Sequence, residues 1–444
     1  MVAEATSTSW RTRYADKLVS PEEAVQVVKD GDSVWLGGWT GTPATLAKAL
    51  GNRAGALRHV AIETFLSPYQ WDFSGREQSF SVRTFYAGPL DREGTRNNRF
   101  EYIPLCQWRE GEAPPGIAAP HDVSMVNISA PDDEGWCSFG GAVWFAHSVT
   151  MKAKTIVGEV HEDWIRTGGQ NRVHVSQFGR LALAQPSPEP PVMARSEETI
   201  YAAEVICTLL ASEIVKDGMT LQIGVGDVSA ALLAYLGDKH DLGIHSEMIP
   251  GGIVDLVRNG VVTGKHYTLH PGKVVGSALV LMPREDLAFI DGNPMFELYD
   301  FTHTDDLRNL LRIENFFAVN NAMEVDITGN VCSETRGPQV YSGPGGQPVF
   351  GIASSTSSGG SCVVLPSSQL VDGARYPRIV SRLEHGATAT QHRGYVDYVV
   401  TEQGIARLRG KTLRERIGEL ISVAHPDFRA ELKADARRLY GVDV

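Results

Sequence analysis

The chain has 444 residues, 42% of them hydrophobic and 21% charged, which is more than one ordinary domain and points to two or three globular ones that need no disulfide staples. A formal net charge of -12 and a pI near 5.6 argue against a broad nucleic-acid surface, since phosphate binding draws on clustered Lys and Arg, but leave room for a local basic pocket. The five cysteines (Cys106, Cys137, Cys207, Cys332 and Cys362) are odd in number, widely spaced and never CxxC, so free thiols in a reducing compartment are expected. The opening "MVAEATSTSWRTRY" lacks an apolar h-region, and no apolar run is long enough to span a bilayer; a cytoplasmic protein without membrane attachment is expected.

Along the chain, short β-rich runs alternate with helical patterns. "SVWLGG" (33–38) reads as a buried strand ending in glycines, and "TPATLAKAL" (42–50) as a helix. "VSMVNIS" (123–129), "KTIVGEV" (154–160) and "RVHVSQF" (172–178) are further strands. Continuous apolar strands separated by helices predict α/β domains with largely parallel sheets covered by helices. The proline-rich "AQPSPEPPVM" (184–193) fits neither a helix nor a central strand and marks a linker. The division is then 1–187 for an N-terminal and 194–444 for a C-terminal α/β domain. A helix follows in "SEETIYAAEVICTLLASEIVKDG", capped by Ser196, with Glu197 and Glu198 in its first turn and Gly218 closing it. Strands are then expected at 219–224, 241–246, 278–282, 315–322, 361–366 and 396–404, with a largely helical end interrupted by "HPDF" (425–428).

Several familiar chemistries lack their sequence support. "GVGDVSAAL" (224–232) has Ser229 where a dinucleotide fingerprint needs its third glycine, although such a turn still presents backbone N–H groups to an anion. There is no Walker A motif, no G-x-S-x-G elbow and no HExxH, and His266 and His270 run straight into Pro271, so no metal is expected. Cys137 reads as a structural thiol, and Arg83, Arg92, Arg96 and Arg99, interrupted by Asp91 and Glu93, as a solvated face. Two features remain. "TRGPQVYSGPGGQPVF" (335–350) brackets Pro344 with Gly343, Gly345 and Gly346, a backbone nest suited to a phosphate or an oxyanion. Glu247, in "GIHSEMIPGG", sits where a parallel strand ends, the place open α/β sheets put their ligands.

These segments also resemble a known family. "HSEMIPGGIVDLVRNGVVTG", "ISAPDDEGWCSFG", "LQIGVGDVSAALL", "NNAMEVDITGNVCSE", "YSGPGGQ" and "VVTEQGIARLRGKTLRERIGELISVAHPDFRAEL" are similar, in order and over nearly the whole chain, to the acetyl-CoA hydrolase/transferase family within the family I CoA-transferases. The branch most resembled is that of 4-hydroxybutyrate and butyryl-CoA:acetate CoA-transferases. The resemblance implies two related α/β domains and ping-pong transfer of coenzyme A between an acyl-CoA and a carboxylate, with Glu247 as nucleophile. Val225, Gly226, Gly345 and Gly346 are implied as backbone oxyanion donors, and Gly343, Gly345, Gly346 and Gly404 as coenzyme A contacts. Acyl-CoA and a small carboxylate are the implied substrates, with no tightly bound cofactor and a homodimer or larger homo-oligomer as the assembly. An acyl-CoA hydrolase using the same glutamate, or a coenzyme A-binding protein without activity, are the alternatives. One departure stands out: Val349 occupies a position where the branch often carries an acid, which puts acyl or acceptor specificity in question. Trp39, Thr40, Trp71 and Tyr86 are candidate walls of that acyl pocket or ordinary core aromatics.

Overall fold

The computed structural model describes residues 9–69, 76, 78–106, 108–112, 120–186, 196–224, 226 and 228–444. The chain forms two compact units: the first holds Met1–Pro104, Arg109–Pro191 and Arg284–Thr302, the second Leu105–Trp108, Val192–Pro283 and His303–Val444. The linker expected at 184–193 lies outside the described residues from 187 onward.

In the first unit a parallel sheet runs in the order Arg180–Leu183, Thr155–His161, Val123–Ser129, Ser33–Gly38, Val60–Phe65, Phe80–Thr84 and Phe100–Tyr102. Val34, Leu36, Ile62, Val82, Met125 and Val157 form its core together with Leu46 and Leu50 of the helix Ala44–Gly51. This two-sided burial is why the strands read as unbroken apolar runs. The expected strand at 172–178 is corrected: only Val173–His174 is extended, and a 3-10 turn, Val175–Gln177, follows because the His174 ring accepts a hydrogen bond from Ser176 N and bends the chain.

The unit is not contiguous in sequence, unlike the division at the proline-rich stretch. Arg284–Thr302 packs with it through parallel pairing of Phe296–Leu298 with Gly168–Gly169. Asp291 Oδ1 accepts from Arg166 N at 2.7 Å, and Asp300 Oδ2 from Ser148 N at 2.7 Å. Hydrogen bonds to these acids are a local signal that periodicity does not carry.

In the second unit the strands run Gly404–Arg407, Tyr398–Thr401, Gly360–Val364, Phe316–Asn321, Thr220–Ile223, Gly243–His245 and Val274–Gly276, parallel except for the first pair, a hairpin. The expected helix after Ser196 forms over Glu197–Leu209, with Ser196 Oγ accepting from Thr199 N. It does not reach Gly218. It ends in a π turn, Leu210–Ile214, where Ser212 Oγ bonds back to the Thr208 carbonyl, and Gly218, at φ +73°, turns the chain into the next strand. At the C-terminal end, Leu413–Ser422 is capped reciprocally by Thr412 and Glu415, and Pro426–Tyr440 starts at the "HPDF" interruption. Val325, Val363, Val399, Ile417, Leu420 and Ala436 share the core there.

Candidate active site

The second unit brings a carboxylate, a helix N-terminus and a second carboxylate to one point. Strand Gly243–His245 ends just before Ser246 and Glu247, and the chain re-enters a separate parallel ladder in which Met248–Pro250 pairs with Ala278–Val280. Glu247 lies at the break between the two ladders. Its carbonyl accepts from Ser277 N at 2.9 Å and Ala278 N at 3.2 Å. Ser246 ties the same point to the neighbouring strand, its hydroxyl donating to the Ile223 carbonyl at 3.0 Å and accepting from Ile223 N at 3.2 Å. The backbone of the nucleophile candidate is thus fixed on both sides, at the carboxyl ends of the strands where α/β sheets bind ligands.

The Glu247 side chain keeps part of its surface open, and its Oε2 accepts a hydrogen bond from Gly346 N at 3.1 Å. Gly346 is the N-cap of the helix Gln347–Thr356, so the positive end of that helix faces the carboxylate. A side chain at residue 346 has no room: a Cβ there would lie 2.5 Å from Asp305 Oδ2, 2.5 Å from the Phe350 ring and 2.6 Å from Glu247 Oε2. The two carboxylate oxygens are therefore separated by at most the sum of 2.5 and 2.6 Å, about 5 Å. Burial pushes the Glu247 carboxyl up to about 7, against the Gly346 hydrogen bond, which pulls it down.

Behind the glutamate, burial holds His245 down to about 3, so its ring is neutral. Its Nε2 is 2.8 Å from the Thr304 carbonyl, which can only accept, so Nε2 carries the proton and Nδ1 accepts from the Tyr267 hydroxyl at 2.5 Å. Thr304 Oγ1 donates to Asp305 Oδ1 at 2.8 Å and lies 2.8 Å from Ser277 Oγ.

Of the residues singled out in the sequence, Glu247 and Gly346 meet directly. Gly345 precedes Gly346 at φ +54°, the left-handed turn that presents the Gly346 N–H, and Gly343 is buried just before it. Gly226 lies against the Asn321 side chain, closer than any Cβ would tolerate, and Gly224 N donates to the Val319 carbonyl at 2.8 Å. Val225 lies outside the described residues, as does Trp71. Gly404 is not in this arrangement. It opens the edge strand of the sheet, five strand positions from Gly243–His245, on the order of 24 Å at ordinary strand spacing. Val349 is buried in the helix that begins at Gln347.

In the first unit Trp39 stacks on Trp144, whose Nε1 donates to Thr40 Oγ1 at 3.2 Å. The Tyr86 carbonyl accepts from Leu66 N. Arg83 is paired with buried Glu63 at 2.5 Å. Burial pushes the Cys137 thiol up to about 12, which makes it a poor nucleophile. Among the described residues no group of three or more His, Cys, Asp or Glu is placed to hold a metal ion, and no helix is long and apolar enough to cross a membrane.

Sequence reasoning missed Asp305, Thr304 and Ser277. Thr304 and Asp305 fall in the polar run "FTHTDD", where Asp305 and Asp306 are 1% and 2% exposed.

With that geometry established, comparison with known proteins gives the class. The N-terminal domain model of acetyl-CoA hydrolase/transferase matches residues 3–192, and the C-terminal domain model matches residues 284–436. The chain belongs to the acetyl-CoA hydrolase/transferase family, with the fold of the family I CoA-transferases. It is similar to a 4-hydroxybutyrate coenzyme A transferase of Clostridium kluyveri, 32% identical over 436 residues that cover 97% of this chain and 100% of that one. A succinyl-CoA:cyclohexane-1-carboxylate CoA transferase of Geobacter metallireducens is 32% identical over 437 residues, covering 97% of each. Among solved structures, RipA from Yersinia pestis superposes with a TM-score of 0.84 at 27% identity, over 98% of this chain and 100% of that one.

Proposed function

We propose that the protein is an acyl-CoA:carboxylate CoA-transferase in which Glu247 is the nucleophile. The single observation that carries this is the Gly346 N–H at 3.1 Å from Glu247 Oε2, at a helix N-terminus. In the first step the ionised Glu247 attacks the thioester carbonyl; the C–S bond breaks, leaving an acyl–glutamyl anhydride and coenzyme A thiolate. The thiolate then attacks the glutamyl carbonyl, the anhydride C–O bond breaks, and the first acid leaves as its carboxylate. The acceptor carboxylate runs both steps in reverse from the glutamyl–CoA thioester. In the second step the oxyanion forms on an oxygen of Glu247 itself, so the donor already on Oε2 is aimed where charge develops. Gly226, Gly343 and Gly345 are assigned supporting backbone roles in this scheme, and Gly404 a contact with the far end of coenzyme A. The similarity to 4-hydroxybutyrate and succinyl-CoA-dependent transferases supports small carboxylates as acceptors.

The test is to incubate purified protein with acetyl-CoA or butyryl-CoA, with and without a panel of carboxylates, following free thiol and new acyl-CoA separately beside Glu247→Gln. New acyl-CoA without net thiol release, abolished in the variant, is expected and names the acceptor. Thiol release indifferent to every carboxylate would make the protein a hydrolase. Full activity in Glu247→Gln would remove the glutamate from the mechanism.

A further inference from the structure

Asp305, the second carboxylate at Gly346, takes no part in the scheme above. It is 1% exposed and firmly held: Ser277 Oγ, Thr304 Oγ1 and Asp305 Oδ1 form a chain of two hydrogen bonds, each 2.8 Å. Because Thr304 gives its one proton to Asp305, the bond suits an ionised acceptor. The same segment is tied to the nucleophile's strand twice, through His245 Nε2 on the Thr304 carbonyl and through Ser277 N on the Glu247 carbonyl. Asp305 Oδ2 is consequently kept within about 5 Å of Glu247 Oε2, across the bare Cα of Gly346.

We infer that Asp305 is a positioning residue for charge: a fixed anion that disfavours the ionised form of Glu247 and favours its neutral, acylated forms. This rests on Glu247 being the nucleophile. The charge balance gives the direction. Free Glu247 is an anion, whereas the anhydride and the glutamyl–CoA thioester are neutral at that side chain, the negative charge having left first on the thiolate and then on the released carboxylate. A neighbouring anion therefore drives the first half-reaction forward. A unit charge about 5 Å away at a partly buried site moves a pKa by on the order of two units.

The elements of the second unit around the pair differ in the titratable groups they carry. The helix Gln347–Thr356 and the strands Thr220–Ile223, Val274–Gly276 and Ala278–Val280 bring no ionisable side chain. His245 is on the nucleophile's own strand, with Tyr267 against it, and His303 and His270 are bonded to each other at 2.9 Å. Asp306 is paired with Arg308 at 2.5 Å, and the approach to the glycine loop carries Glu334, Arg336 and Tyr341.

The experiment gives acetyl-CoA, without acceptor, to the wild type, Asp305→Asn, Thr304→Val and Glu247→Gln, and follows the enzyme–CoA adduct by intact mass across roughly pH 5–9. In Asp305→Asn the acid limb of adduct formation is expected to move down by about two pH units, and the adduct-to-free-enzyme ratio at alkaline pH to fall at least about tenfold. Thr304→Val, which withdraws the hydroxyl that stabilises ionised Asp305, is expected to move the limb the same way by less than about one unit. A merely structural role would lower the yield without moving the limb. An unmoved limb in folded Asp305→Asn overturns the inference; if that variant does not fold, an unmoved limb in Thr304→Val does so. An adduct surviving in Glu247→Gln would instead overturn the nucleophile assignment.

Discussion

Glu247→Gln is expected to make the protein more stable at alkaline pH while removing its activity. Burial raises the Glu247 carboxyl from its ordinary 4.5 to about 7. A group whose folded-state pKa lies above its unfolded one stabilises the fold in full below the unfolded value, and that contribution is lost as pH rises through the folded value. Above about pH 7, then, the wild type carries the cost of an ionised carboxylate in a crowded site. At 1.36 kcal/mol per unit, the gap corresponds to about 3 kcal/mol. Glu247 is only half-buried as a residue, so about 1–2 kcal/mol is the expected effect. Glutamine keeps the shape and still accepts from the Gly346 N–H, and its amide gains a donor for Asp305. Thermal unfolding near pH 5 should show the two proteins nearly equal. Near pH 8.5 the variant should unfold about 1–4 °C higher, given how a stability change of this size scales for a long chain. A variant no more stable than the wild type at the higher pH would refute the account of Glu247 as a carboxylate held against its own ionisation.

Two glycines give further tests. Gly346→Ala places a methyl within 2.6 Å of Glu247 Oε2, Asp305 Oδ2 and the Phe350 ring; turnover should fall at least about a hundredfold in soluble protein, the scale of a lost oxyanion donor, and near-normal exchange would show that the helix N-terminus does not set the site. Gly226→Ala collides with the Asn321 side chain and should destabilise by about 1–3 kcal/mol; adding Asn321→Gly should restore most of the loss in a double-mutant cycle read by thermal unfolding, and simple additivity would mean the two do not touch.

The parallel architecture was legible because its strands are buried on both faces: "SVWLGG" and "VSMVNIS" are strands over the residues read for them. Local hydrogen bonds decided what periodicity could not, as at Ser176, which ends a strand after two residues, and at Ser212, which converts a helix end into a π turn. Asp291 and Asp300 do the same at larger scale, anchoring a segment from beyond the linker into the first unit.

The site divides along the same line. Glu247 and the glycine loop are visible because a strand end and a cluster of glycines are features of sequence. Their meeting is not, since 99 residues separate Glu247 from Gly346. Asp305 is the harder case, for a buried acid differs from a surface acid only in what surrounds it. Its place follows from Thr304 being bonded on one side to His245 and on the other to Ser277. A bare Cα at residue 346 lets both carboxylates approach the same residue, with Glu247 Oε2 on its N–H. The absence of a side chain there leaves room for Asp305 beside the proposed nucleophile, and through that space the fold bears on the proposed chemistry.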